Sequence, residues 1–248
     1  MNRRRSPTLT SHLAWIVVLV AVGLVAGVAP TGLYVLKPGP ARDLSQAITV
    51  PGGDPSSGGR YLMVTVRADR ATVLAAVAAT FNPSWEIVPR AALIPGGESI
   101  DDYLSRAARQ MTESQQVAIR VASEYLGHDV GAVRFDVDGI SGPSAGGMFA
   151  LEIIRQVRGG PPGAGLIVAG TGILSPDGRL NKVGGVRQKV AAAEMAGATY
   201  FIVPREEAAA AEAAAREIKI IPVDSVAEAV QALTGIGPRA SGESPGPR

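Results

Sequence analysis

Apolar and polar positions divide this 248-residue chain into two unlike parts. Between Ser6 and Lys37 there is no Lys, Arg, Asp or Glu, and residues 13–36 form a largely apolar run of 24 positions. About 20 helical residues cross a hydrocarbon core, so the run predicts one N-terminal transmembrane helix. Arg3, Arg4 and Arg5 precede it. The positive-inside rule then places residues 1–12 in the cytoplasm and predicts a single-pass cell-membrane protein whose remaining part is extracytoplasmic. Gly27-Val28-Ala29 also offers the small residues of a signal-peptide cleavage site, but Pro30 follows directly and the run continues to Leu36, which favours a retained anchor.

After the run the pattern changes to short periodic segments. Residues 37–59 are rich in Pro, Gly and Ser and read as a linker. A β-rich alternation over 61–66, a helical stretch over 71–80 and a second strand over 85–88 predict a small N-terminal α/β extension spanning 60–98. Ser99, with Asp102 three positions on, resembles a capping box, and no Gly or Pro intervenes before Gly127, so one long helix is predicted to Leu126. Strands over 132–137, 166–170, 200–203 and 219–223 then alternate with helices over 144–157, 185–196, 205–216 and 226–233, and Ser175-Pro176-Asp177-Gly178 is a hairpin turn. This alternation predicts an α/β domain over 99–234. The Gly- and Pro-rich tail, 235–248, is expected to be disordered.

Composition narrows the chemistry. Lys plus Arg number 24 against 22 Asp plus Glu, and much of the basic excess sits at the termini, so no nucleic-acid surface is expected. The chain has no cysteine and two histidines, His12 and His128, which makes a zinc site or other metal centre improbable; no cofactor is expected.

One local motif stands out. Gly142-Pro143-Ser144-Ala145-Gly146-Gly147 sets a serine among small residues just before an amphipathic helix. Small neighbours allow a substrate backbone to approach, and a helix N-terminus offers free N–H groups to an oxyanion. The same serine also fits the role of a helix cap in a tight turn. A nucleophilic serine needs a base, and a histidine is available only as His128. Of the four lysines, Lys189 shares the apolar stripe of Val186, Val190 and Ala193 at about 100° per residue, with Arg187 and Glu194 on the other side. Burial there would favour a neutral amine able to accept a proton, although a lysine stem can also pack on such a stripe and send its amine to water.

The wider pattern resembles the proteolytic domain of the Lon family. Gly142-Pro143-Ser144-Ala145-Gly146, Thr171-Gly172, Asp177-Gly178, Val183-Gly184-Gly185, Lys189 and Ala191-Ala192 follow the family's order, with 45 positions from Ser144 to Lys189. The resemblance implies that Ser144 is the nucleophile, Lys189 the base, and Thr171 a hydroxyl holding the lysine amine. Backbone N–H groups around Gly142, Pro143 and Ala145 are the expected oxyanion donors. With its N-terminal apolar run, the chain looks most like membrane-anchored Lon-like peptidases that carry a PDZ domain. It departs from them in the 16 residues between Gly127 and Ser144, too few for that domain, and Ser141 stands where Lon proteases often have an acidic residue. No Gly-x-x-x-x-Gly-Lys-Ser/Thr segment for ATP is found. The resemblance therefore implies an ATP-independent serine endopeptidase acting on unfolded or flexible protein segments, and a homo-oligomer, since Lon domains form rings. A different class of function fits the same fold: a membrane-bound adaptor or assembly factor that binds partners without cleaving them.

Overall fold

Pro30 has no N–H to give a helix, and the bulky residues after it, Leu33-Tyr34-Val35-Leu36, suit a pleated surface. The computed structural model, which describes residue 23 and residues 27–56, 58–159 and 165–236, extends the chain here as strand β1 (Pro30–Asp43). Helix α1 (Leu44–Ala47), strand β2 (Ile48–Thr49), β3 (Arg60–Thr72), α2 (Val73–Thr80), β4 (Glu86–Pro89) and α3 (Arg90–Leu93) follow. β1 pairs antiparallel with β3 on one side and β4 on the other.

This overturns the transmembrane reading. Residues 30–36, counted as the last part of the membrane span, lie in the middle of a sheet, and no helix among the described residues is long and apolar enough to cross a membrane. The single-pass arrangement, with its cytoplasmic N-terminus and extracytoplasmic domain, has no such helix to rest on. Apolar length misled because a strand hydrogen-bonded on both edges is as apolar as a helix of similar hydropathy. Residues 13–22 and 24–26 lie outside the described residues.

The small N-terminal α/β extension is likewise corrected. The second half contributes α4 (Ile100–Leu126), β5 (Arg134–Phe135), α5 (Gly146–Arg158), β6 (Ile167–Gly170), β7 (Ile173–Leu174), β8 (Leu180–Asn181), α6 (Val186–Met195), β9 (Tyr200–Pro204), α7 (Ala208–Ala214), β10 (Lys219–Val223) and α8 (Val226–Ile236). One six-stranded sheet, in the order β10-β9-β6-β3-β1-β4, joins strands from both halves. β3 pairs parallel with β6, as β6 does with β9 and β9 with β10. The fold is therefore mixed α/β around a shared sheet. Residues 37–49, read as linker from their Pro and Gly, instead hold the end of β1, all of α1 and β2. Residues 237–248, most of the tail expected to be disordered, lie outside the described residues.

Helix α4 starts where its cap predicts: Ser99 Oγ accepts the Asp102 N–H at 3.1 Å, and Gly127 ends it with φ 77°. Its buried face, Ala107, Met111, Ser114, Ala118 and Val121, recurs every three to four residues and lies along α5. Helix α5 is buried from Gly146 to Gln156, with Phe149, Leu151, Ile153 and Ile154 in the main apolar core. Even its charges are enclosed. Glu152 takes two hydrogen bonds from Arg155, at 2.8 and 2.6 Å, and one from Gln156 Nε2 at 2.7 Å. Gln156 also donates to the Ile48 carbonyl, and Arg155 to that of Pro55, which binds the segment after β1 to α5. This places the N-terminus of α5 against α4 and the sheet.

Candidate active site

The turn leading into α5 is held from three sides. Gly142 has φ 97°, a left-handed conformation that glycine adopts without cost, and its N–H donates to the Ala107 carbonyl of α4 at 3.0 Å. Ser114 Oγ, also on α4, donates to the Pro143 carbonyl at 3.2 Å. From the end of β6, Thr171 Oγ1 donates to the Ser144 carbonyl at 3.0 Å, and the Gly172 N–H donates to the same oxygen at 2.8 Å. The backbone of Ser144 is thus fixed while its hydroxyl, among the described residues, has no hydrogen-bond partner.

Helix capping does not account for that serine. Ala145 occupies the cap position of α5, and no side chain caps the helix. Gly146 and Gly147 are small for reasons of packing: a Cβ on Gly146 would lie 2.6 Å from Ser114 Oγ, and one on Gly147 would lie 2.5 Å from Leu180 Cδ2. The β7–β8 hairpin and α4 fill the space that the sequence suggested was open to substrate. Gly142 N–H, an expected oxyanion donor, is committed to Ala107, and Pro143 has none. The N–H groups of Ser144 and Ala145 have no partner among the described residues and stand at the start of α5, where an anion could accept from them.

Lys189 comes from the opposite wall. Helix α6 begins after Gly185, whose φ is 69° and whose hypothetical Cβ would meet Val66 Cγ2 at 2.8 Å, so the loop closes tightly on β3. The expected stripe is buried: Val186, Val190 and Ala193 face the core, and Arg187 faces solvent. Lys189 is only 5% exposed. Its Nζ donates to Thr171 Oγ1 at 3.1 Å rather than escaping to water. Burial pulls its ammonium down from 10.5 to about 8, with the charge of Glu207 opposing the shift.

Ser144 and Lys189 line one cavity of about 600 Å³, together with Gly142, Pro143 and Ala145. Thr171, 2% exposed, sits behind the wall and connects Lys189 to the Ser144 carbonyl. All six residues singled out in the sequence therefore meet at this one place. Ser144 and Lys189 are not hydrogen-bonded to each other; the amine engages Thr171. His128 is elsewhere, exposed beyond the end of α4 beside a surface cavity lined by Ile119 and Arg120. Among the described residues no group of three His, Asp or Glu side chains could hold a metal.

Sequence reasoning missed Glu207. It lies 7% exposed in the one-turn helix Arg205–Glu207 and accepts the Val183 N–H at 3.2 Å. Beside Glu206 and an alanine run it reads as a solvated helix start, and no local signal marks it as buried. Ser114 carries no local signal either, because its partner Pro143 is 29 positions away.

Residues 129–235 match the family described as the Lon protease (S16) C-terminal proteolytic domain. The chain is similar to the archaeal Lon protease of Archaeoglobus fulgidus, 28% identical over 155 residues, which are 59% of this chain and 24% of that protein. It is also similar to the Lon protease of Clostridioides difficile, 42% identical over 66 residues, 26% of this chain and 8% of the other. The chain thus spans a quarter or less of the length of these relatives. The family match starts at residue 129, later than the expected start at Ser99, and leaves α4 outside it although α4 supports the serine turn. What the chain shares with the Lon protease (S16) C-terminal proteolytic domain is therefore the segment 129–235, less than half of its length, which contains Ser144, Thr171 and Lys189.

Proposed function

We propose that this chain is an endopeptidase in which Ser144 is the nucleophile and Lys189 its general base, working on unfolded or flexible protein segments without ATP. The observation that carries the proposal is the buried Lys189 amine, held by Thr171 on the cavity that Ser144 shares. A neutral amine takes the Ser144 Oγ proton as the oxygen attacks a peptide carbonyl carbon. The oxyanion then faces the N–H groups of Ser144 and Ala145. Lys189 returns the proton to the departing amine, and next accepts one from the water that hydrolyses the acyl ester. Proton transfer requires the Ser144 hydroxyl, which has no hydrogen-bond partner among the described residues, to turn toward Nζ across the cavity they share. ATP independence is part of the proposal because none of these steps consumes a nucleotide: each moves a proton between Ser144, Lys189, the leaving amine and water. Assembly into a homo-oligomer, implied by the resemblance, belongs to the same proposal, and light scattering of the full chain tests it.

Casein digestion by the full chain without nucleotide is the direct test, beside Ser144→Ala and Lys189→Ala. Wild-type cleavage that both variants lose supports the dyad. Partner binding with no cleavage by the wild type selects the adaptor reading instead.

Two further results are expected. Because the amine must be neutral to act, kcat/KM should rise as pH increases through about 8, the value set by burial of Lys189. A profile that shows no rise through that range would speak against Lys189 as the base. Thr171→Val removes the acceptor for the amine and the donor to the Ser144 carbonyl. It should lower kcat by on the order of 10² while Thr171→Ser, which keeps the hydroxyl, retains most of it. Equal rates for the two Thr171 variants would remove threonine from the mechanism.

A further inference from the structure

Lys189 is carried on a helix whose entry loop is tied down from behind. Val183 and Gly185 line the cavity that holds Ser144 and also, on the other face of the loop, a second cavity of about 860 Å³. Glu207 lies on that rear cavity. Its carboxylate receives the Val183 N–H at 3.2 Å, and the next two residues are Gly184 and Gly185, which have no side chain of their own to hold the loop. The Lys189 N–H in turn donates to the Gly185 carbonyl at 3.0 Å, so the first turn of α6 inherits the position of this loop.

We propose that Glu207 is a positioning residue for Lys189: it anchors, from the rear cavity, the Val183–Gly185 loop from which α6 starts, and its negative charge acts on the lysine amine. This rests on the reading of Lys189 as the base. An acidic group in this place has two effects of opposite value. It holds the base where the serine can reach it, and it favours the ammonium form, which cannot act as a base. The charged groups that act on Glu207 are Lys182, Lys189 and Glu206, and Glu207 is the one that acts on Lys189. Burial raises the Glu207 carboxyl above its ordinary range, while the Val183 N–H and the two lysines pull it back.

Anchoring and charge separate in two variants. Glu207→Gln keeps an oxygen to accept the Val183 N–H but removes the charge; Glu207→Ala removes both. The whole chain, labelled with ¹³C in the lysine side chains, has four lysines, Lys37, Lys182, Lys189 and Lys219, and Lys189→Met identifies the signal of interest. In both Glu207 variants the titration midpoint of Lys189 should fall below its wild-type value. The rise of kcat/KM with pH should move to lower pH in step in Glu207→Gln. At a pH above both midpoints Glu207→Gln should keep kcat within about twofold, whereas Glu207→Ala should lose on the order of tenfold or more through misplacement of the amine. Should Glu207→Ala lose its cooperative thermal transition, the Gln variant alone decides the charge effect. A Lys189 midpoint unmoved in a folded Glu207 variant overturns the proposal, as does Glu207→Ala with wild-type kcat. The midpoint is read on the resting protein, so it is distinct from the dyad itself: peptide hydrolysis by Lys189→Met at the wild-type rate would end the dyad reading and leave the midpoint result standing.

Discussion

Ser144→Ala is expected to lower peptide hydrolysis by on the order of 10⁴-fold or more, because no other group can take over bond formation to the substrate carbonyl. The reasoning is specific to how the serine is held. Its carbonyl, fixed by Thr171 and Gly172, is backbone and survives the substitution, and its hydroxyl has no partner among the described residues. Stability should therefore change by no more than about 0.5 kcal/mol, as for a substitution that disrupts no contact. Lys189→Met should cost a similar factor, and the double variant little more, since nucleophile and base act as a unit and their losses do not add. Progress curves on a fluorogenic peptide give the rates, and urea unfolding followed by circular dichroism gives the stabilities. A Ser144→Ala protein that loses activity only in proportion to lost folding would make the serine a structural residue.

The largest expected loss of stability lies away from the cavity. Glu152→Ala leaves the Arg155 guanidinium in the core without its carboxylate, both side chains being fully enclosed. Removing one partner of a buried ion pair costs about 3–5 kcal/mol, since the remaining charge stays desolvated. Here the Gln156 side chain also loses an acceptor, and with it part of the hold on the Ile48 carbonyl and the chain between α1 and β3. Replacing Glu152 and Arg155 together by methionine should cost much less, because no charge is then left buried. Urea midpoints at constant slope measure both. A loss below about 1 kcal/mol for Glu152→Ala would show that water reaches the pair.

What the sequence reveals follows the range over which each interaction acts. Helix α4 is legible because its signals are local: Ser99 and Asp102 at one end, Gly127 at the other. Ser144 is legible because four neighbouring small residues mark its turn, although two of them, Gly146 and Gly147, are small for the sake of Ser114, Leu174 and Leu180, which lie far along the chain. The burial of Lys189 is legible from its helical face, since Val186, Val190 and Ala193 share its stripe and are buried with it. Thr171 was accessible only through the Lon resemblance, since nothing near it in sequence tells of a bond to a lysine 18 positions on. Two failures have physical causes. Residues 30–36 close an apolar run long enough for a membrane span, and only pairing with β3 and β4, 32 to 56 residues away, makes them a strand. Helix 205–216 was expected whole, yet its first turn is the tighter Arg205–Glu207 helix, which turns Glu207 inward to Val183.

The central claim is that Lys189 activates Ser144. Acid-quenched single turnovers of a peptide ester on the full chain, with the acylated residue located by peptide mass spectrometry, test it most directly. The expected result is one acyl adduct, on Ser144, formed at a rate that rises through pH about 8 and collapses in Lys189→Met. Acylation at another residue, or at Ser144 with a rate indifferent both to pH and to Lys189→Met, would contradict it.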